Sequence, residues 1–394
     1  MRRLVFVIVI LIAAVAGAAA WVRSELKRPY RGYSQAQIFV EIPRGTPRWT
    51  IAEMLQKSGV IDSRVAFVLL SKWHHHGVLQ AGEYMFSRPM TPREVYAQIA
   101  GGHIYMHTVI VPEGWTMFDI ANELAKQGLS SKEDFLRAAQ DTSLVRDIAP
   151  QAPSLEGFLF PSTYQFSRNT TPQEIVATMV KEFRGEWGKL QNEAAEDPNP
   201  DSPELRNASA KHKIDDLVSP VTKLSTSQIV TLASLVERET PQPAERPIVA
   251  SVFYNRLRLR LRLQCDPTVQ YALDLEGKPT PKLTPGDLLV SSDYNTYRHR
   301  GLPPGPIANP GDASLRAALD PAQTKYLYFV ANGSGGHFFA RTLAEHNRNV
   351  QKYRRILEGL PPEAPPPVHR RTKPARKRPS MKHRKSTKKA QSRS

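Results

Sequence analysis

The sequence predicts an α+β protein: a membrane-spanning helix, a small α/β region, a larger and mainly helical region with β-elements, and a basic tail. Three observations carry this. Residues 4–22 are apolar and uncharged. Downstream, short alternating stretches such as Ile38, Val40 and Ile42 are interleaved with stretches of helical period. The segment 361–394 is rich in Pro and Lys, with almost no large apolar residue to bury. These patterns bound an anchor at 1–23, a polar linker at 24–36, an α/β region at 37–150, a larger region at 151–360 and a disordered tail at 361–394.

The N-terminal stretch, as a helix, is roughly 28 Å long, close to the hydrocarbon thickness of a bilayer. Trp21 falls at the far interface. Arg2 and Arg3 favour a cytoplasmic N-terminus, although Arg23, Lys27 and Arg28 weaken that bias. The "AGAAA" run also resembles a signal-peptide cleavage site. Either reading puts the body outside the cytoplasm, as a single-pass membrane protein if the anchor is kept. The net charge of +17 is concentrated in the tail, where twelve Lys/Arg face one Glu. The body is only mildly basic, and nucleic acid is not expected as a partner; a binder of that kind would lose salt-dependent affinity with the tail. Cys265 is the sole cysteine, which excludes an intrachain disulfide and a Cys-rich zinc site.

The elements follow in order. Ile38, Val40 and Ile42 form a strand, Pro43 and Gly45 a turn, and Thr50 caps a helix with Ile51, Met54 and Leu55 on one face. A helix over 63–74 and a strand at "AGEYMFS" come next. Another helix has Thr91 as cap, Pro92 in its first turn and Gly101 at its end. "HTVIVPEGWTMFDIANEL" then echoes the opening strand–turn–helix, with Thr116 as cap. Such units resemble LysM-type modules, which bind cell-wall glycans; the alternative is a generic platform. Residues 131–150 read as helical, 154–166 as an aromatic stretch, 172–191 as a helix and 192–212 as an exposed polar loop. "STSQIVTLASLVERE", capped by Ser225 or Thr226, and "ERPIVASVFYNRLRLRL" are helices. A Pro-rich loop at 301–311, a strand at 326–331, a Gly-rich turn at 333–336 and a helix over 343–357 complete the body.

In "LASLVERET", Glu237 and Glu239 point about 200° apart on a helix and do not form a carboxylate pair. Glu239 extends the stripe Ile229–Leu232–Val236, whereas Glu237 extends the smaller face of Val230 and Ala233. A carboxyl ending an apolar stripe is partly desolvated, which raises its pKa and suits it to donate a proton near neutrality. The plainer alternative is that Glu239 marks where the helix surfaces. Downstream segments dense in Tyr, Asn, Gln and Thr beside Pro and Gly suit polyol ligands.

The blocks "LEGFLFPSTY", "LASLVERET", "VASVFYNRL", "LQCDPTVQYAL", "YNTYRHRGLPPGPIANPG", "YLYFVANGSGGHFF" and "HNRNV" resemble the YceG-like endolytic murein transglycosylases, over about 38–357. The resemblance implies an inner-membrane anchor, a LysM-like subdomain and a lysozyme-like/YceG-like catalytic region with its body in the periplasm. Its partners would be peptidoglycan glycan strands and peptidoglycan synthases. It makes the glutamate before Thr240, Glu239, the catalytic residue, with Glu237 as fallback. The implied reaction cleaves the bond between N-acetylmuramic acid and N-acetylglucosamine and closes a 1,6-anhydro ring, so a second carboxylate is not obligatory. Asp266 is the nearest candidate for one, although an Asp before Pro is commonly a turn or cap residue. Asn255, Gln264, Tyr294, Asn295 and Tyr297 are candidates to line a glycan groove, and Glu156 either approaches the cleft or caps a turn. The chain departs from the family pattern at the insert around 192–212, at Cys265 and in the tail, none of which is expected to touch Glu239. No cofactor or metal is expected: His74–His76 read as a solvated helix end, and His337 and His346 lack ligand spacing, His346 reading as a satisfied core residue. The competing function is a non-catalytic, glycan-binding wall scaffold.

Overall fold

The computed structural model describes residues 2–73, 78–195 and 224–360. The histidine run, most of the polar insert and the basic tail lie outside them. Helix α1 (Arg2–Glu25) buries none of its residues and is long and apolar enough to cross a membrane.

The expected echo is present as two units of the same order. The first runs β1 (Ile38–Ile42), α2 (Arg48–Lys57), α3 (Arg64–Trp73) and β2 (Gly82–Phe86), with Ile38 opposite Phe86 in an antiparallel pair. The second runs β3 (His107–Ile110), α5 (Met117–Lys126), α6 (Lys132–Ala139) and β4 (Thr163–Phe166), with His107 opposite Phe166. Between them lies α4 (Pro92–Ala100), which starts in a capping box of Thr91 and Glu94. Thr116 and Asp119 form the same device on α5, each satisfying an N–H that the helix leaves unpaired. Thr50, expected as a cap, instead lies inside α2. That helix starts at Arg48 behind Pro47, whose φ of −63° already matches helix entry, and no side chain caps it.

The buried apolar residues form two clusters. Val40, Ile42, Leu55, Phe67, Tyr84, Phe86 and Ile99 make a small core around the first unit. The strands and helices of the second unit contribute Val109, Ile120, Leu124, Phe135 and Tyr164 to a larger core. That core is shared with α7 (Pro172–Ala195), α8 (Thr226–Glu239), α9 (Arg246–Arg258), α10 (Asp266–Leu275) and α11 (Asp312–Leu319). The hairpin of β5 (Tyr328–Ala331) and β6 (His337–Ala340), followed by α12 (Leu343–Leu357), packs outside α9. Strand β6 follows the expected turn at 333–336, in a stretch for which the sequence predicted no element. The linker is not free: Tyr30 and Met90 exchange backbone hydrogen bonds, and Gly32 N–H donates to the Gly59 carbonyl at 2.7 Å.

The helix that carries both glutamates is central. Ser225 caps it in a box with Gln228, and every residue from Ile229 to Val236 is buried. A helix buried all round has no marginal face. Val230 and Ala233 are as buried as Leu232 and Val236, so the two-face distinction drawn from the sequence does not hold. The reason is that α9, α10 and α11 all pack on α8.

Candidate active site

The two glutamates emerge where α8 ends and Thr240 turns to extended backbone. Glu237 is fully engaged. Its carboxylate takes a salt bridge from Arg246 at 2.9 Å and a hydrogen bond from Gly311 N–H at 3.0 Å. Arg246 also reaches Glu113 of the Pro112–Glu113–Gly114 turn, and Arg238 donates to the Gly114 carbonyl. Removing one member of such a buried network leaves an uncompensated charge, so Glu237 reads as a brace.

Glu239 is different. Its carboxyl has one hydrogen-bonding neighbour among the described residues, the Cys265 thiol. A thiol is a weak donor. Burial pushes the Glu239 carboxyl above the ordinary range, against the Cys265 hydrogen bond; the nearby Asp266 adds to the rise, while His337 and Arg256 oppose it. Burial also raises Glu237, against the Gly311 N–H and Arg246. The direction of shift therefore does not separate the two carboxyls; their engagement does. Cys265, expected to be remote from Glu239, is in contact with it. Burial, and after it the nearby Glu239, push its thiol far up, so it stays protonated.

Cys265 is held by a short buried network. Its N–H donates to Thr296 Oγ1 at 3.0 Å, and the Thr296 and Thr268 hydroxyls lie 2.9 Å apart. This carries Asp266, the first residue of α10, beside Tyr297, whose hydroxyl donates to the Asp266 carboxylate. Gln264 is exposed next to them at a φ of +54°, and its side chain accepts from Arg256 at 3.3 Å. Gln264, Asp266 and Tyr297 are thus brought together near Glu239. Tyr294 lies further along, ring to ring with Tyr271 at 5.1 Å, and burial raises its hydroxyl to about 12.

Three other candidates face inward. Asn255 donates to the Thr324 and Tyr326 carbonyls, both at 3.0 Å, and holds the segment before β5 on α9. Asn295 is fully buried; it donates to the Leu288 and Val290 carbonyls and accepts from Tyr297 N–H. Glu156 is 1% exposed and accepts from Met117 N–H, at the start of α5, and from Asn309 Nδ2. Burial pushes its carboxyl to about 8. Their amides and carboxyl hold loops and helix starts in place. His346 stacks on Tyr328, but its Nδ1 is buried without a partner among the described residues, so among these it is not the satisfied residue expected.

Sequence reasoning missed Arg246, Arg256, Asn309, and the pair of Glu245 and His337. Arg256 donates to the Arg262, Leu263 and Leu327 carbonyls, which curls the loop after α9 back toward Gln264 and Cys265. No short spacing announces any of these contacts.

A spare carboxyl that is desolvated, raised in pKa and flanked by an exposed amide and a phenol has the make-up of a general-acid site. The chain belongs to the YceG-like family, whose model matches residues 40–352. It is 32% identical over 355 residues to the endolytic murein transglycosylase of Bacillus subtilis strain 168, covering 86% of this chain and 91% of that protein. It is 26% identical over 358 residues to the endolytic murein transglycosylase of Streptococcus pneumoniae serotype 2, covering 82% of this chain and 60% of that one. Among solved structures, a YceG-like protein from Listeria monocytogenes is 34% identical, with a TM-score of 0.50 over 80% of this chain and 99% of that one.

Proposed function

We propose that the protein is an endolytic murein transglycosylase that cleaves the β-1,4 bond between N-acetylmuramic acid and N-acetylglucosamine. The observation that carries the reading is the contrast at the end of α8: Glu237 is spent on Arg246 and Gly311, and Glu239 is not. Glu239 in its acid form gives a proton to the bridging oxygen as the C1–O bond breaks. The C6 hydroxyl oxygen of the same muramic sugar then bonds to C1, and its proton returns to Glu239. The product ends in a 1,6-anhydro ring, no water is consumed, and the acid is regenerated. Asp266 need not act as a nucleophile, and its bond to Tyr297 suits a wall of the groove. Gln264 and Tyr297 offer a sugar hydrogen bonds from the same side.

The first strand–helix–helix–strand unit, with its own core, serves in this reading as a LysM-like glycan-holding module. Helix α1 holds the body at the outer face of the inner membrane, where new strands are made and where synthases would be its neighbours. The test is incubation of the protein with purified glycan strands. Products should carry anhydro ends, and Glu239→Gln should lower the rate by about 10²–10⁴, the usual contribution of a general acid. Binding without any product from the unaltered protein would instead favour a wall-binding scaffold.

A further inference from the structure

Beside Glu239 lies a second pair of groups that the proposed reaction does not use. His337, the first residue of β6, is tied to Glu245 at the start of α9 by two hydrogen bonds: its main-chain N–H to Oε1 at 2.9 Å and its ring Nδ1 to Oε2 at 2.7 Å. One carboxylate thus fixes both the backbone and the ring of one residue. Thr240, which follows Glu239, donates its hydroxyl to the same Glu245 Oε2 at 3.4 Å, so the pair is coupled to the end of α8. The approach requires a glycine at 336, where a Cβ would fall 2.5 Å from Glu245 Oε1. Phe329 and Phe339 flank the ring, with centroids 5.3 and 6.2 Å away.

The remaining ring nitrogen is the informative one. His337 Nε2 has no partner among the described residues, yet it is not sealed from solvent. Burial works to raise the Glu245 carboxyl, but the hydrogen bonds from His337 outweigh it and hold the group below its usual range. An ionised Glu245 can only accept, so Nδ1 carries the proton; in the neutral ring Nε2 is then an acceptor. A positive charge on this ring would oppose the raised Glu239 carboxyl, so the neutral ring is the form compatible with Glu239 as the acid.

We propose that His337, oriented by Glu245, contacts the substrate: its Nε2 accepts a hydrogen bond from a hydroxyl group of the sugar held at Glu239. This rests on Glu239 as the general acid. The contact is present in the bound ground state as well as the transition state, so its loss appears in KM.

The full chain in detergent, with purified glycan strands, tests this through paired variants. His337→Asn keeps a donor at the Nδ1 position and removes Nε2. It should retain the thermal midpoint and kcat, with KM raised about tenfold, the scale of one hydrogen bond. His337→Gln keeps a polar group near the Nε2 position and releases Glu245, so it should lower the midpoint more and KM less. Glu245→Gln keeps both contacts but donates to Nδ1, which reverses the tautomer, and KM should rise again. Unchanged KM in His337→Asn, or in Glu245→Gln where the first variant does not fold, overturns the inference, as does a parallel loss of midpoint and activity in the two His337 variants. Glu239→Gln, run alongside, separates the two ideas: if it still yields anhydro ends at the normal rate, the general-acid reading itself has failed.

Discussion

The two strand–helix–helix–strand units share an order and an antiparallel pairing but differ in what surrounds them. The first encloses its own small core and meets the second through the buried Glu83 of β2, which accepts from Arg168 Nε at 2.9 Å and pairs with the His107 ring. The second has given its core to the body and its loops to the site. Its Pro112–Glu113–Gly114 turn meets Arg246 and Arg238, and the start of α5 meets Glu156. Asn309 clasps this junction: it accepts from Gly157 and Leu159 N–H and donates to the Trp115 carbonyl and Glu156. One topology can therefore serve as a module with its own core or as a structural support. The difference lies in where the long-range polar ties lead, to the second unit from Glu83 and to the site-bearing helices from the Pro112–Glu113–Gly114 turn, not in strand or helix content.

The comparison can be broken most sharply at Asn309. Asn309→Ala orphans buried N–H groups and should destabilise the body by about 3–5 kcal/mol in a denaturant titration. Glu156 tests the same junction through pH. Its folded carboxyl is raised to about 8 from 4.5, so the folded state binds the extra proton. The stability linked to it is complete below pH 4.5 and is lost as pH rises toward 8, by up to about 1.4 kcal/mol per pH unit. Glu156→Gln should flatten that slope in denaturant midpoints measured from pH 5 to 8. The smallest effect belongs to the first unit. Tyr84 donates its hydroxyl to the Gln80 and Ile99 carbonyls there, and Tyr84→Phe should cost about 1 kcal/mol while leaving the cleavage rate unchanged. Equal losses at Asn309 and Tyr84, or a fall in rate with the latter, would erase the distinction between module and support.

What was legible in the sequence was local. Thr91, Thr116 and Ser225 announce helix starts because a cap and its helix are neighbours in the chain. The echo was legible because both units repeat a strand, a Pro- and Gly-containing turn and a helix. The candidate glutamate was named on a face argument that fails, since α8 is buried all round. What sets Glu237 apart arrives from Arg246 and Gly311, and what sets Glu239 apart is the lack of such partners. Neither is encoded near "LVERET". Asn255 and Asn295 were named as groove residues because a polar residue in a rich segment looks available. Their amides are committed to carbonyls that only the folded chain brings near.

The pinning of the residues after α1 sets a limit on reach. Five positions separate Glu25 from Tyr30, at most about 18 Å of extended chain, and Leu26, Lys27 and Arg28 shorten it by turning back onto the helix end. With α1 in a bilayer, the first unit hangs on a stub instead of a leash. The height of the first unit above the lipid would then be fixed by the helix end, not by a flexible tether.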